Sequence, residues 1–363
     1  MSSCGNSPQA SSDLDVIESM KDYYGKEVRT KDSCATGVTT LTFSPEVRKI
    51  VREAFDDVHD EVTVRYYGCG PAIPEAIEGC SILDLGSGSG RDCFALSKLV
   101  GPSGHVVGVD MTQEQLEFAR GYIDYHTQKF AYSQPNVEFI FGYIEKLVEA
   151  GLQQGSIDII ISNCVINLSP DKQAVLREAH AVLKDGGELY FSDMYTDTKQ
   201  TDEMKKDKVL WGEGIGGALL WDELYQLAAE IGFSSPRLVT AKPVDTSQFS
   251  DRIGSARYVA VTYRLFKLPA QGVSGPSRVS YKGDIAGCQE RLKLDDVTVF
   301  EKNEEKVVDS ELATILTTSR FKQSFNITNA PDATPETKDP KVNPFELLDE
   351  RCAKPCVQGA CAP

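Results

Sequence analysis

Residues 82–92 read ILDLGSGSGRD. Ile82, Leu83 and Leu85 predict a buried strand, and the glycines at 86, 88 and 90 predict that it opens into a tight loop. The pattern RDCFALSKLVG after the loop has helical spacing. Outward from this point the chain alternates strictly. The strand begins at Cys80, and a second strand, HVVGVDM (105–111), leads into a helix, TQEQLEFARGYIDYHTQKF. A third strand, VEFIFGY (137–143), precedes a short helix near IEKLVEAG. The fourth, IDIIISNCVINL (157–168), is followed by the helix DKQAVLREAHAVLK and a fifth strand, GELYFSDMY (187–195). This is the βαβ rhythm of a parallel sheet with helices on both faces. Thr112 and Asp171 occupy N-cap positions, and Gly186-Gly187 lies past a helix end.

Beyond the fifth strand, residues 202–233 have helical character with a Gly-rich middle that predicts a break or bend. PRLVTAKPV and ARYVAVTYRLFKL bring the strand count to seven. From about residue 269 the pattern becomes short strands and turns with one helix, SELATILTTSRF. This predicts a small α+β appendage, and a polar, Pro-rich stretch follows from Pro331. Upstream, LDVIESMKDYYG and SPEVRKIVREAFDDVHDEVTVRYYG carry helical spacing behind a polar start.

With 363 residues, 41% hydrophobic and 25% charged, the composition is that of a soluble globular chain. A formal net charge of -16 argues against a broad nucleic-acid surface. No run approaches the roughly 18 apolar residues of a membrane span. The start lacks a basic and apolar leader pattern, so the expected location is cytoplasmic. Ten scattered cysteines in a reducing compartment are thiols: buried, metal-binding or reactive. The four histidines fall in no zinc-site pattern.

The glycine loop selects among ligands. A dinucleotide fingerprint, G-x-G-x-x-G, would need glycine at 91, where Arg91 stands. The actual spacing is G-x-G-x-G, with Asp84 two residues before the first glycine and able to hold a cationic amino group. Asp110, at the end of the second strand, can accept both ribose hydroxyls. Tyr143-Ile144-Glu145 is placed to flank an adenine. Loop, acid and strand order together point to S-adenosylmethionine.

The motifs ILDLGSGSGRD, GVDMT, GYIEKL, SNCVINLSPDK, GGELYFSDMY and LWGEGIGGALLW, with RYYGCG at 65–70, resemble those of the arsenite methyltransferases. The likeness runs from about residue 30 to 345. It implies a class I methyltransferase-like α/β fold, doubly wound and mostly parallel, with seven strands and a small C-terminal α+β appendage. It divides the chain into an N-terminal tail and helix (1–30), an S-adenosylmethionine-binding domain (31–196) and an arsenic-binding region that completes the sheet (197–268). A C-terminal domain (269–345) and a Cys-containing tail (346–363) follow.

Trivalent arsenic is soft and thiophilic, so thiolates are its expected ligands. Cys164 ends the fourth strand, where an open parallel sheet binds its ligands; elsewhere a strand cysteine is usually a small core hydrophobe. By the resemblance, Cys69 and Cys164 hold arsenic and Tyr67 forms a wall near the sulfonium. Cys34 would exchange disulfides with Cys69, so that two thiols return arsenic to the trivalent state. A thiol reductant such as glutathione or thioredoxin would then reset the enzyme. The implied cofactor set is Tyr67, Asp84, Gly86, Ser87, Gly88, Gly90, Asp110, Met111, Ile144, Glu145, Asn163 and Val165, with Asn163 facing the methionine part. The implied partners are trivalent arsenicals and the reductant, with no nucleic acid and no membrane.

One position departs from the family pattern. A further cysteine is usual within GE-C-x-GGAL, and this sequence has Gly214 there. Several outcomes stay open: a two-cysteine site completed by an exogenous thiol, a replacement cysteine, a preference for already methylated arsenicals, or lost activity in a disabled or engineered variant. Two other functions remain as alternatives, an arsenical-binding protein and a methyltransferase for a small organic molecule. Cys80 and Cys93 read as packing residues, Cys288 lies in no motif, and Cys4, Cys352, Cys356 and Cys361 read as solvated. Trp211 and Trp221 read as core.

Overall fold

The structure, a computed structural model, describes residues 45–66 and 71–353, together with Val16, Glu18, Met20 and Lys21. Thirteen strands are formed among these residues. The principal sheet contains β1 (Ser81–Leu85), β2 (His105–Asp110), β3 (Val137–Phe141), β4 (Ile157–Asn163), β5 (Leu183–Thr196), β6 (Leu219–Leu220), β7 (Arg237–Pro243) and β8 (Tyr258–Phe266). The strand order is β3-β2-β1-β4-β5-β8-β7, with the two-residue β6 paired to β5. The first five strands are mutually parallel, and β8 runs antiparallel to both β5 and β7. Thus the sheet has the seven strands read from the sequence plus the short β6.

Why both faces are covered follows from alternation along the strands. Leu83, Leu85, Val107, Val109 and Ile160 share one core with Val175, Leu176 and Ala179 of the helix Lys172–Val182. Ile82, Val106, Ile159 and Ile161 share the other with Phe94, Ala95 and Leu96 of the helix Arg91–Val100. Because β1 lies between β2 and β4, the order in which strands are added reverses beside it, the topological switch point where open α/β sheets bind ligands.

A second unit follows. It comprises the three-stranded sheet β12 (Glu305–Val308), β9 (Ser277–Tyr281) and β13 (Phe325–Asn329), the ribbon of β10 (Arg291–Lys293) with β11 (Val299–Glu301), and the helix Ser310–Thr318. Its core takes in Phe266 from the end of β8. Buried ion pairs join it to the large sheet: Arg320 with Glu188, which also pairs with Arg264, and Arg237 with Asp295 at 3.0 Å.

Several local expectations are corrected. Residues 144–151 form turns rather than a helix. Only Leu147 there is fully buried, and Glu145 is tied to Ser169, too little for a short helix to offset its nucleation cost. The helix expected after β2 is two, Gln113–Arg120 and Ile123–Lys129. Thr112 makes no side-chain cap, its side chain interacting with Asp110 instead, whereas Asp171 accepts the Ala174 N–H at 2.9 Å. Gly186-Gly187 lies within β5 and not at a helix end. The tail expected from 346 begins inside a helix, Pro344–Ala353, whose Phe345 is buried in the main core with Leu347 and Leu348 against it. Three apolar residues on this helix find a hydrophobic surface that its polar flanks conceal in the sequence. Among the described residues no helix is long and apolar enough to cross a membrane.

Candidate active site

The register aligns the carboxyl ends of the central strands: Leu85 stands beside Val109 and Ser162, Asp110 beside Phe141, and Asn163 beside Ser192. The glycine loop, Asp110 and the residues after Asn163 therefore meet along one edge.

Gly86 has φ +71°, and a Cβ there would lie 2.7 Å from Cγ2 of Val165. The loop thus packs directly on the residue that follows Cys164. Gly88 faces open space, with nothing within 4 Å of a Cβ, while its N–H donates to Oδ2 of Asp110 at 2.8 Å. The other Asp110 oxygen accepts the Thr112 N–H at 2.8 Å. Burial pushes the Asp110 carboxyl above its ordinary range, against the pull of these N–H groups. Ser87 Oγ is buried with no hydrogen-bond partner among the described residues, and Gly90 caps the helix Arg91–Val100. An unsatisfied hydroxyl, an open glycine and a half-buried carboxylate fit a ribose-bearing ligand in this crevice.

Asp84 is buried on β1, and Cys93 Sγ donates to its Oδ2 at 3.2 Å. Burial first, then the nearby Asp92 carboxylate, raise the Asp84 carboxyl well above its usual value. A cationic amino group would relieve that penalty. Met111 lies half-buried after Asp110. Ile144 packs on the main core, and Glu145 accepts a hydrogen bond from Ser169 Oγ.

Asn163 Nδ2 donates to the Tyr66 hydroxyl at 3.0 Å, and the Arg91 guanidinium lies over the Tyr66 ring, 3.0 Å from its centroid. Cys164 follows. It is half-buried against a cluster that includes Met194, Leu210 and Ile215, and its N–H donates to the Ser192 carbonyl at 2.8 Å. Its φ of +56° is in the left-handed region. A non-glycine residue stays there only where its surroundings hold it. Gly214 also lies near Met194: its φ is +74°, and a Cβ there would lie 2.8 Å from the Met194 methyl.

Cys34, Tyr67 and Cys69 lie outside the described residues, as do Cys4, Cys356 and Cys361. Of the predicted set, the structure brings together Asp84, Gly86, Ser87, Gly88, Gly90, Asp110, Asn163, Cys164 and Val165. Cys80 and Cys93 are buried as expected, Cys288 is half-buried and Cys352 is exposed. Sequence reasoning missed the hydrogen bond from Cys93 to Asp84, since packing alone accounted for a thiol on that helix. It also missed Tyr66, although RYYGCG held a clue to it. Trp211 was read as core, yet its Nε1 donates to the Leu168 carbonyl at 3.0 Å, beside the site.

Comparison with known proteins adds to this geometry. The family profile for a methyltransferase domain matches residues 77–232, and that for the arsenite methyltransferase C-terminal domain matches 274–363. The arsenite methyltransferases of Rattus norvegicus and Homo sapiens are 46% and 47% identical, each alignment covering 96% of this chain and 97% of the relative. The crystal structure of an arsenic(III) S-adenosylmethionine methyltransferase from Chlamydomonas reinhardtii superposes with a TM-score of 0.75 at 41% identity, covering 80% of this chain and 99% of that one. The likeness takes in both folded units and the edge where the glycine loop meets Cys164, and on it the chain belongs to the arsenite methyltransferase family.

Proposed function

We propose that this protein transfers methyl groups from S-adenosylmethionine to trivalent arsenic held on Cys164 and Cys69. The reaction class follows from family membership. The residue assignment is carried by one observation: Cys164 is held in a left-handed turn at the end of β4, and its neighbour Val165 packs against Gly86 of the glycine loop. That juxtaposition brings a soft thiol to the crevice built for a cationic, ribose-bearing ligand.

When bound, S-adenosylmethionine supplies an electrophilic methyl group on sulfur. The chain's own residues do the rest. Asp110 accepts ribose hydroxyls and Asp84 takes the amino group, while Ser87 and Asn163 line the methionine path. Met111, Ile144 and Glu145 flank the base. Cys164 and Cys69 hold arsenic with its lone pair free, which is a task of positioning. Gaining a methyl cation leaves arsenic formally pentavalent. Cys34 and Cys69 then give up two electrons and close a disulfide, which returns arsenic to the trivalent state. Two electrons from glutathione or a thioredoxin-like protein reopen the disulfide by exchange.

Gly214 supports a narrower substrate range, because it contributes no thiolate and a methylated arsenical requires only two. A single-turnover assay with donor and thiol, run separately on arsenite and methylarsonous acid, tests the reading. Product from methylarsonous acid in clear excess over arsenite supports a two-thiolate site. Equal rates point to a third thiolate supplied from elsewhere. Donor binding without product from either substrate would favour an arsenical-binding role.

A further inference from the structure

The turn Ile166–Leu168, directly after Cys164 and Val165, is held by more groups than a surface loop needs. Asp193 on β5 accepts the Asn167 N–H at 3.2 Å. Lys172 Nζ donates to the carbonyls of the same Asn167 at 3.2 Å and of Ser169 at 2.9 Å. Asn167 Nδ2 donates to the Met194 carbonyl at 2.8 Å, and Gly217 approaches so closely that a Cβ would lie 1.9 Å from the Asn167 oxygen. Two oppositely charged side chains thus grip the N–H and the C=O of one residue, three positions beyond Cys164. The Cys164 N–H itself donates to Ser192, the residue before Asp193.

We infer that Lys172 and Asp193 are positioning residues that fix the Cys164 turn in its left-handed geometry; the inference rests on the reading of Cys164 as an arsenic thiolate. Neutral groups could satisfy the same backbone atoms. Burying a lysine and a carboxylate to do so is costly unless each offsets the charge of the other. Burial pulls Lys172 down to about 8 despite the attraction of Asp193, and it pushes Asp193 up to about 7 despite Lys172. Glu145, after β3, and Glu223, on the helix Glu223–Ile231, also attract Lys172, while Lys205 of the helix Asp202–Lys206 opposes them. The backbone N–H groups of Asn167, Ile166 and Met194 pull Asp193 the other way. With both charges present, the turn is tied to β5 and to the following helix together. Loss of either charge frees one side of Asn167, and the strained φ at Cys164 can relax.

The test uses the full chain, with iodoacetamide alkylation of each cysteine read by peptide mass spectrometry and exposed Cys352 as internal reference. In Lys172→Met, the alkylation rate of Cys164 relative to Cys352 should rise about tenfold and kcat should fall about 10- to 100-fold, with donor affinity unchanged. A folded Lys172→Met protein with unchanged Cys164 reactivity and kcat overturns the inference. Asp193→Asn keeps the shape and removes the anion that keeps Lys172 charged. The alkaline limb of turnover should therefore move to lower pH, and an unmoved limb also overturns it. Should Lys172→Met fail to fold, Asp193→Asn decides alone. The alkylation readout needs no arsenic. A Cys164→Ser enzyme with full turnover would refute the arsenic assignment by a separate route, so the two failures read apart.

Discussion

Asp84 and Glu188 are both buried carboxylates on strands of the same sheet, and their partners send them in opposite net directions. Asp84 faces the glycine loop, where its neighbours are a thiol and another acid, and it is held well above its usual value. Glu188, near the start of the stretch of β5 paired with β4, is also pushed up by burial, but Arg264 and Arg320 outweigh that and hold it below its ordinary value. One end of the sheet keeps an uncompensated cost that a cationic ligand would remove. The other end pairs its charges internally and fastens the C-terminal unit. A buried acid is therefore informative only together with its partners.

Four perturbations test that contrast, beginning with the largest effect. Glu188→Gln strips two buried guanidinium groups of their shared partner and should cost about 3–5 kcal/mol of stability, read by denaturant unfolding. The sign follows from linkage. A carboxylate lowered in the folded state stabilises above its unfolded value and loses that contribution as pH falls through the folded value, so the gap between wild type and Glu188→Gln should narrow in acid. A constant gap would mean that the arginines contribute nothing specific. Donor affinity should be untouched.

Cys164→Ser should reverse the pattern. Stability and donor binding should hold, while methylated-arsenic product falls at least about 100-fold in a single-turnover assay. Normal turnover would refute the thiolate assignment. Next in size is Asp110→Ala, which removes the acceptor of the Gly88 and Thr112 N–H groups and should weaken donor binding about 10- to 100-fold by calorimetry. Asp84 adds a pH signature. Its raised value in the free protein means that affinity for a cationic donor should improve as pH rises through that value. An affinity that does not vary with pH in acid would contradict this. Smallest is Cys93→Ala. Removing a weak thiol donor from Asp84 should raise the donor Kd by only about two- to fivefold, and an unchanged Kd would reduce Cys93 to packing alone.

Much of the fold was legible because strand and helix periods were clean over residues 80–196. β1 to β5 arise where alternating or continuous apolar runs require them. The 144–151 segment was misread because a helical period of one turn is indistinguishable from a turn sequence. From 346 the sequence reads as a tail because Leu347 and Leu348, with Phe345 before them, have no visible partner until β7 and β8 supply one. At the site, Asp84, Asp110 and the glycine loop announced themselves by spacing. Lys172, Asp193 and Trp211 did not, since each acts on backbone atoms of a turn and such contacts leave no motif.

The sequence alone determined the class of fold, the ligand type of the glycine loop and the placing of a soft sulfur side chain at the end of the fourth strand. Each depends on local spacing and on the intrinsic chemistry of side chains. Tertiary structure alone decided which buried charges are compensated, that position 86 must be glycine beside Val165, and that Asn167, three residues past Cys164, is bonded from two elements. Those outcomes depend on which distant residues burial brings within a few ångströms of each other, and one-dimensional spacing does not encode that.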